Sequence, residues 1–235
     1  MSSVARQTCV VLAGGLGIRL RSALGDQPKC LAPVGTRPFI EVQISTLLAA
    51  GINDVVLSLG YRATQVVDAM QNLAERGRVR HVVEPSLLGT GGAIAFAMDQ
   101  LGLDEVMVAN GDTYLDGDIS GMLSPLERKA GELFRMAVVT VPDRGRFGGV
   151  RVGPQGRVQG FLEKGLTGAG LINAGLYRLC RTSLPKHHEG AYSLEADILP
   201  GLVQQGALSA LAVDGSFTDI GVPEDYFRFC ARHAG

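Results

Sequence analysis

Near its start the chain runs Cys9-Val10-Val11-Leu12 straight into Ala13-Gly14-Gly15-Leu16-Gly17-Ile18-Arg19-Leu20. The apolar run has the length of a buried strand, and the glycines after it leave main-chain N–H groups free of Cβ atoms. Gly14, Gly15 and Gly17 let those groups converge on an anion, Arg19 adds a fork of charged donors, and Lys29 in Pro28-Lys29 adds a point charge. A phosphate-holding loop is therefore expected, with a plain strand-to-helix turn as the simpler alternative. Two familiar phosphate loops are excluded by spacing. Leu20 stands where a dinucleotide fold needs its third glycine, and no glycine is followed by Lys and then Ser or Thr.

Apolar runs punctuated by glycine and proline then alternate in type. Strands are expected at 8–13, 54–59, 79–83, 106–110 and 136–141, with helices at 39–50, 64–75, 91–101 and 119–129. That alternation predicts an α/β fold, a Rossmann-like doubly wound, mainly parallel sheet with helices on both faces. After Pro142 the rhythm shortens. Segments 148–152 and 158–161 flank Gly153-Pro154-Gln155-Gly156 as a hairpin and 171–178 reads as another strand, so the sheet becomes mixed. A helix at 193–205, a strand at 208–213 and a helix opening at Pro223 close the reading.

At 235 residues, 46% of them hydrophobic, the chain suits one domain with a sizeable core. A net charge of −1 argues against a nucleic-acid or anionic-membrane binder, which would carry a basic face. There is neither a secretory leader pattern nor an apolar stretch of bilayer length, so a cytoplasmic protein is expected. Cys9, Cys30, Cys180 and Cys230 are widely separated, which suits reduced thiols, and the four histidines show no metal-ligand spacing.

Asn110-Gly111-Asp112 closes an apolar strand, Val106-Met107-Val108-Ala109. Ligands of open α/β sheets collect at the carboxyl ends of strands, where Gly14 and Asp112 both emerge. Magnesium favours one or two protein carboxylates together with substrate phosphates, which makes Asp112 a candidate Mg²⁺ ligand.

The stretches Leu12 to Leu20 and Pro28-Lys29-Cys30-Leu31-Ala32-Pro33-Val34 resemble the signature of the sugar-1-phosphate nucleotidylyltransferases. Ile18 and Cys30 depart from it, replacing a threonine and a proline without removing a charge. Asp219-Ile220-Gly221-Val222-Pro223-Glu224-Asp225-Tyr226 resembles the family's second acidic motif. Leu88-Gly89-Thr90-Gly91-Gly92, Phe147-Gly148, Glu163-Lys164, Asn173-Ala174-Gly175-Leu176-Tyr177 and Ser193-Leu194-Glu195-Ala196-Asp197 follow the family's order between the two. The resemblance covers roughly residues 9 to 228.

It implies a reaction in which a sugar 1-phosphate attacks the α-phosphorus of a nucleoside triphosphate and expels pyrophosphate. Arg19 is then expected on the β,γ-phosphates, Lys29 on the α-phosphate, Mg²⁺ between Asp112 and Asp219, and Lys164 on the sugar phosphate. Leu12, Ala13, Gly14, Gly15, Gly17, Gly89, Thr90 and Gly111 are implied for the nucleotide. Gly148, Glu163 and Asn173 are implied for the sugar. The nucleotide-binding part would span about 1–140 and the sugar-binding part about 141–235, without a C-terminal β-helix. A homodimer is compatible with the resemblance.

Glu84 lies close to where the family reads the base. A carboxylate offers only acceptors, which suits the N–H donor edge of guanine and not the mixed edge of uracil. The whole pattern is most similar to guanylyltransferases acting on D-glycero-α-D-manno-heptose 1-phosphate, implying GTP and a GDP-activated sugar for a surface glycan or a secondary metabolite. Other readings stay open: mannose, glucose, N-acetylmuramic acid or cyclitol phosphates with another triphosphate, or a non-catalytic nucleotide-sugar-binding subunit.

Overall fold

A computed structural model describes residues 6–15, 25, 27–71, 73, 76–185 and 190–233. In chain order the main elements are β1 (Thr8–Leu12), β2 (Pro33–Val34), β3 (Arg37–Pro38), α1 (Phe39–Ala49), β4 (Asp54–Leu59), α2 (Ala63–Met70), β5 (Val79–Val83), α3 (Gly89–Leu101) and β6 (Glu105–Asn110). They continue as β7 (Thr113–Gly117), β8 (Phe134–Val141), β9 (Gly149–Val152), β10 (Val158–Leu162), β11 (Gly170–Cys180), α4 (Leu199–Gln204), β12 (Leu208–Ala212), β13 (Gly215–Asp219) and α5 (Pro223–His233). Seven strands form a sheet in the order β12-β8-β11-β6-β1-β4-β5, beside two-stranded ribbons β10-β9, β13-β7 and β2-β3. The pairs β1–β4, β4–β5 and β12–β8 are parallel, whereas β11 runs antiparallel to β8. The expected mixed, mainly parallel α/β sheet is the one observed. No helix among the described residues is long and apolar enough to cross a membrane.

The chain divides into two compact units. The first comprises Met1–Leu87, Ala109–Tyr114 and Thr218–Gly235; the second comprises Leu88–Val108 and Leu115–Phe217. In the first unit β4 is buried along its whole length, which is why parallel strands read as continuous apolar runs. Its satellite core gathers Ala32, Val34, Phe39, Val42, Tyr114, Ile220, Tyr226 and Phe229, with the rings of Tyr114 and Phe229 edge to face at 4.9 Å. Burying each such large side chain contributes about 1.5–3 kcal/mol. Since Ala32, Tyr114 and Ile220 lie one to three residues from Lys29, Asp112 and Asp219, this core holds three remote segments side by side.

The segment expected as a helix at 119–129 is instead two 3-10 turns, Ser120–Leu123 and Arg128–Ala130. Pro125 lacks the N–H a continuing helix needs, and Ile119, Met122 and Leu126 reach the core from irregular backbone. The expected helix at 193–205 is divided into a π-helical turn, Leu194–Ile198, capped by Ser193, and α4. Helix α2 ends at Met70; residues 72, 74 and 75 of that expectation lie outside the described residues. The ribbon strands β7 and β13 were not anticipated by the pattern. They are short, and Gly117 and Gly215 sit where a Cβ would press on the facing backbone.

Candidate active site

In the first unit, Lys29 opens a short 3-10 turn after Pro28, with its ammonium mostly shielded from solvent. Its Nζ donates to Asp112 Oδ2 at 2.8 Å and lies 3.7 Å from Asp219 Oδ1. One cation thus touches two carboxylates, one from the middle of the chain and one from near its end. The backbone ties the two acidic segments directly, because Ile220 N–H donates to the Asp112 carbonyl at 3.0 Å. Asp219 is oriented by its own turn, its Oδ1 accepting from Gly221 N–H at 2.7 Å. Glycine at 221 leaves the Lys29 ammonium its place, since a Cβ there would displace that ammonium and approach Asp219 Oδ1 to 2.7 Å.

The glycine loop is anchored in the same unit. Ala13 N–H donates to the Ser58 carbonyl at 2.9 Å and Tyr61 N–H to the Gly14 carbonyl at 3.1 Å, and a Cβ on Gly15 would meet nothing within 4 Å among the described residues. Gly111 N–H bonds the Leu12 carbonyl at 3.0 Å, an approach that leaves no room for a Cβ on Gly111. A Cβ on Gly14 would stand 2.8 Å from Gly60 N and 2.9 Å from Glu84 Oε1. The Glu84 carboxylate therefore faces the loop, with Ser58 Oγ donating to it at 3.5 Å. Gly17 and Arg19 lie outside the described residues.

The second unit holds the other residues. Gly89, at φ +71°, and Gly91 open α3 against Tyr192, which occupies the space a Cβ would take at either position. Gly91 N–H donates to the Tyr192 carbonyl at 3.1 Å, and Thr90 Oγ1 accepts from Leu194 N–H at 2.8 Å while bonding Glu195 at 3.0 Å. These glycines answer to a packing need inside the protein that the sequence pattern did not reveal. Gly148, at φ +76°, lets its backbone pass the Leu162 carbonyl just before Glu163 and Lys164, both exposed. The two loops are laced by Arg144 N–H to Gly168 O at 3.0 Å and Gly165 N–H to Gly145 O at 2.7 Å. Asp143 Oδ1 accepts from both Gly145 and Gly168 N–H at 3.1 Å. Asn173 sits at a bulge of β11, where its side chain bonds Tyr177 Oη at 2.7 Å and Gly175 N–H at 2.9 Å.

The donor set can be tested against a metal. Among the described residues no third Asp, Glu, Cys or His joins Asp112 and Asp219. Two hard carboxylate oxygens converging on one cation fit a hard divalent ion that takes oxygen ligands, and not a closed zinc cage. Cys30, next to Lys29, is no rival centre: it is buried, and burial pushes its thiol up to about 12. Sequence reasoning missed Gln43, which bonds the Asp112 turn, although a glutamine between Val42 and Ile44 on a buried helix face was a visible anomaly.

The family model described as nucleotidyl transferase matches residues 8–234. D-glycero-alpha-D-manno-heptose 1-phosphate guanylyltransferase of Campylobacter jejuni is 34% identical over 221 residues, covering 94% of this chain and 97% of the relative. A mannose-1-phosphate guanyltransferase of Aspergillus fumigatus is 33% identical over 92% of this chain, which spans 61% of that relative's length. The crystal structure of HddC from Yersinia pseudotuberculosis, also solved in complex with GMP-PN, superposes with a TM-score of 0.84 at 33% identity, covering 96% of this chain and 99% of that one.

Proposed function

Because this chain belongs to the nucleotidyl transferase family, we propose that it joins D-glycero-α-D-manno-heptose 1-phosphate to GTP, giving a GDP-sugar and pyrophosphate. The observation that carries the catalytic reading is the contact of Lys29 with Asp112 and Asp219. A sugar 1-phosphate oxygen is already charged, so the reaction needs no protein nucleophile. That oxygen bonds to the α-phosphorus in line as the bond to the β-phosphate oxygen breaks, and pyrophosphate carries away the released charge. What the protein must supply is position and charge neutralisation.

Members of this family generally use a divalent metal; here we assign Mg²⁺ to Asp112 and Asp219. Bound there, Mg²⁺ supplies charge neutralisation on phosphate oxygens. Lys29, held beside both carboxylates, serves the α-phosphate, and Arg19 the leaving phosphates. Gly14, Gly15 and Gly17, with Leu12, Ala13 and Gly111, line the triphosphate through main-chain groups, and Gly89 and Thr90 complete the nucleotide side. Lys164 holds the attacking phosphate, while Glu163, Asn173 and the Gly148 backbone meet sugar hydroxyls. Glu84 accepts from guanine's two donors, a role supported by its carboxylate facing Gly14. We place the reaction in the cytoplasm, without nucleic-acid or membrane partners.

The likeness to mannose-1-phosphate guanyltransferases favours mannose 1-phosphate as the second sugar. One assay decides both questions: initial pyrophosphate release with GTP, ATP, CTP, UTP or dTTP and either sugar phosphate, for the wild type and Glu84→Gln. GTP is expected to lead by about 10² or more, since a pyrimidine does not offer the Glu84 carboxylate the pair of donors that guanine's edge does. Glu84→Gln should narrow that lead with little change in the sugar's KM. A pyrimidine preference in the wild type overturns the guanine reading, and an unchanged lead in the variant removes Glu84 from it.

A further inference from the structure

We propose that Gln43 is a positioning residue that fixes the turn bearing Asp112 in the shape metal binding requires; the inference rests on the metal reading given above. Gln43 lies on α1, on a face otherwise built from Phe39, Val42, Ile44 and Leu47, and is only 5% exposed. Its Nε2 donates to the Asn110 carbonyl at 2.7 Å and to the Thr113 carbonyl at 2.8 Å. Those two carbonyls bracket Gly111-Asp112, so both hydrogens of one amide are spent on the two ends of the turn.

Its other atom shows what the side chain is there for. Gln43 Oε1 is buried with no hydrogen-bond partner among the described residues. An amide turned the other way would aim lone pairs at two carbonyl oxygens, so the turn dictates the orientation and the acceptor goes unused. A buried glutamine kept only for packing would be better replaced by leucine or methionine. The remaining supports of the turn are backbone bonds that do not involve Gln43: Gly111 N–H to Leu12 O and Ile220 N–H to Asp112 O, each 3.0 Å. The one other side-chain bond, Thr113 Oγ1 to Asn110 O, is long at 3.4 Å. The Asp112 carboxylate is partly exposed and bonds Lys29 alone in the described structure, so its direction follows from its backbone.

The test is metal affinity, read by electron paramagnetic resonance of Mn²⁺ with the protein and GTP in the absence of sugar phosphate. Gln43→Met keeps the volume and removes both donors; Gln43→Glu keeps the shape, sets an oxygen against the two carbonyls, and carries the test if the methionine variant does not fold. Removing a group that orients a metal ligand weakens metal binding by roughly 10–100-fold. That loss is expected in either variant, with kcat recovering toward the wild-type value at high Mg²⁺ while the Mg²⁺ requirement stays raised. Mn²⁺ affinity within twofold of wild type, or a fall in kcat at saturating Mg²⁺ without weakened metal binding, overturns the proposal. Asp112→Asn separates the two layers of the argument. If it too binds Mn²⁺ like wild type, the metal reading fails and takes the clamp with it; if it binds weakly while the Gln43 variants do not, the clamp alone fails.

Discussion

The candidate site charges of the two units are held in opposite ways. In the first, Lys29 is braced against Asp112 and Asp219, and each carboxylate belongs to a turn tied by backbone hydrogen bonds. In the second, Glu163 and Lys164 stand exposed on a loop whose backbone is laced to its neighbour, while neither side chain has a partner among the described residues. Groups set in place before substrate arrives lose nothing further on reaction and act on the transition state. Free side chains lose rotamer entropy when they close on a ligand, so their contribution is expressed mainly in binding. The contrast predicts that changes in the first unit fall on kcat and changes in the second on KM.

The largest effect is expected at the carboxylates. Asp112→Asn or Asp219→Asn should lower kcat by on the order of 10³ or more, and the double variant should be little worse than either, because residues acting as a unit are not additive. Losses that multiply would break the claim that the two act together, and full turnover in excess EDTA would break the metal reading.

Next comes Lys29→Ala, expected to cost about 10²–10³ in kcat. Lys29→Arg should not restore the rate, since a planar guanidinium fork does not reproduce the compact point charge of an ammonium. Gly221→Ala, whose Cβ would strike the Lys29 ammonium, should reproduce much of the same loss. A change confined to KM in steady-state kinetics would place Lys29 in the same class as the exposed residues.

The smallest effect is expected at Lys164→Ala. One lost charge-assisted hydrogen bond should raise KM for the sugar phosphate by about 10–100-fold, with a lesser change in kcat. A collapse of kcat there at saturating sugar phosphate would erase the contrast between the units.

Legibility follows the physics of each element. Strands β1, β4 and β6 were readable because strands buried on both faces show continuous apolar runs, and little else has that look. The segment 119–129 misled because Ile119, Met122 and Leu126 recur near helical spacing, yet irregular turns around Pro125 bury them as well. Gly89 was read as facing a nucleotide, and the structure adds a packing partner that the sequence did not name: a Cβ at Gly89 or Gly91 would meet Tyr192. Gln43 was visible as a polar residue in an apolar helix, and its partners, the carbonyls at 110 and 113, were not.

By itself the sequence determined the kind of sheet, the glycine loop after β1 and the presence of Lys29, Asp112 and Asp219, because each is written in local pattern or in a motif. Only the tertiary structure decided that these three charges meet. Their meeting depends on burying Ala32, Tyr114 and Ile220 in one core and on backbone contacts such as Ile220 N–H to the Asp112 carbonyl, which join residues far apart in the chain. A local pattern states what a segment prefers to be; which segment it must lie against is set by the burial that all of them share.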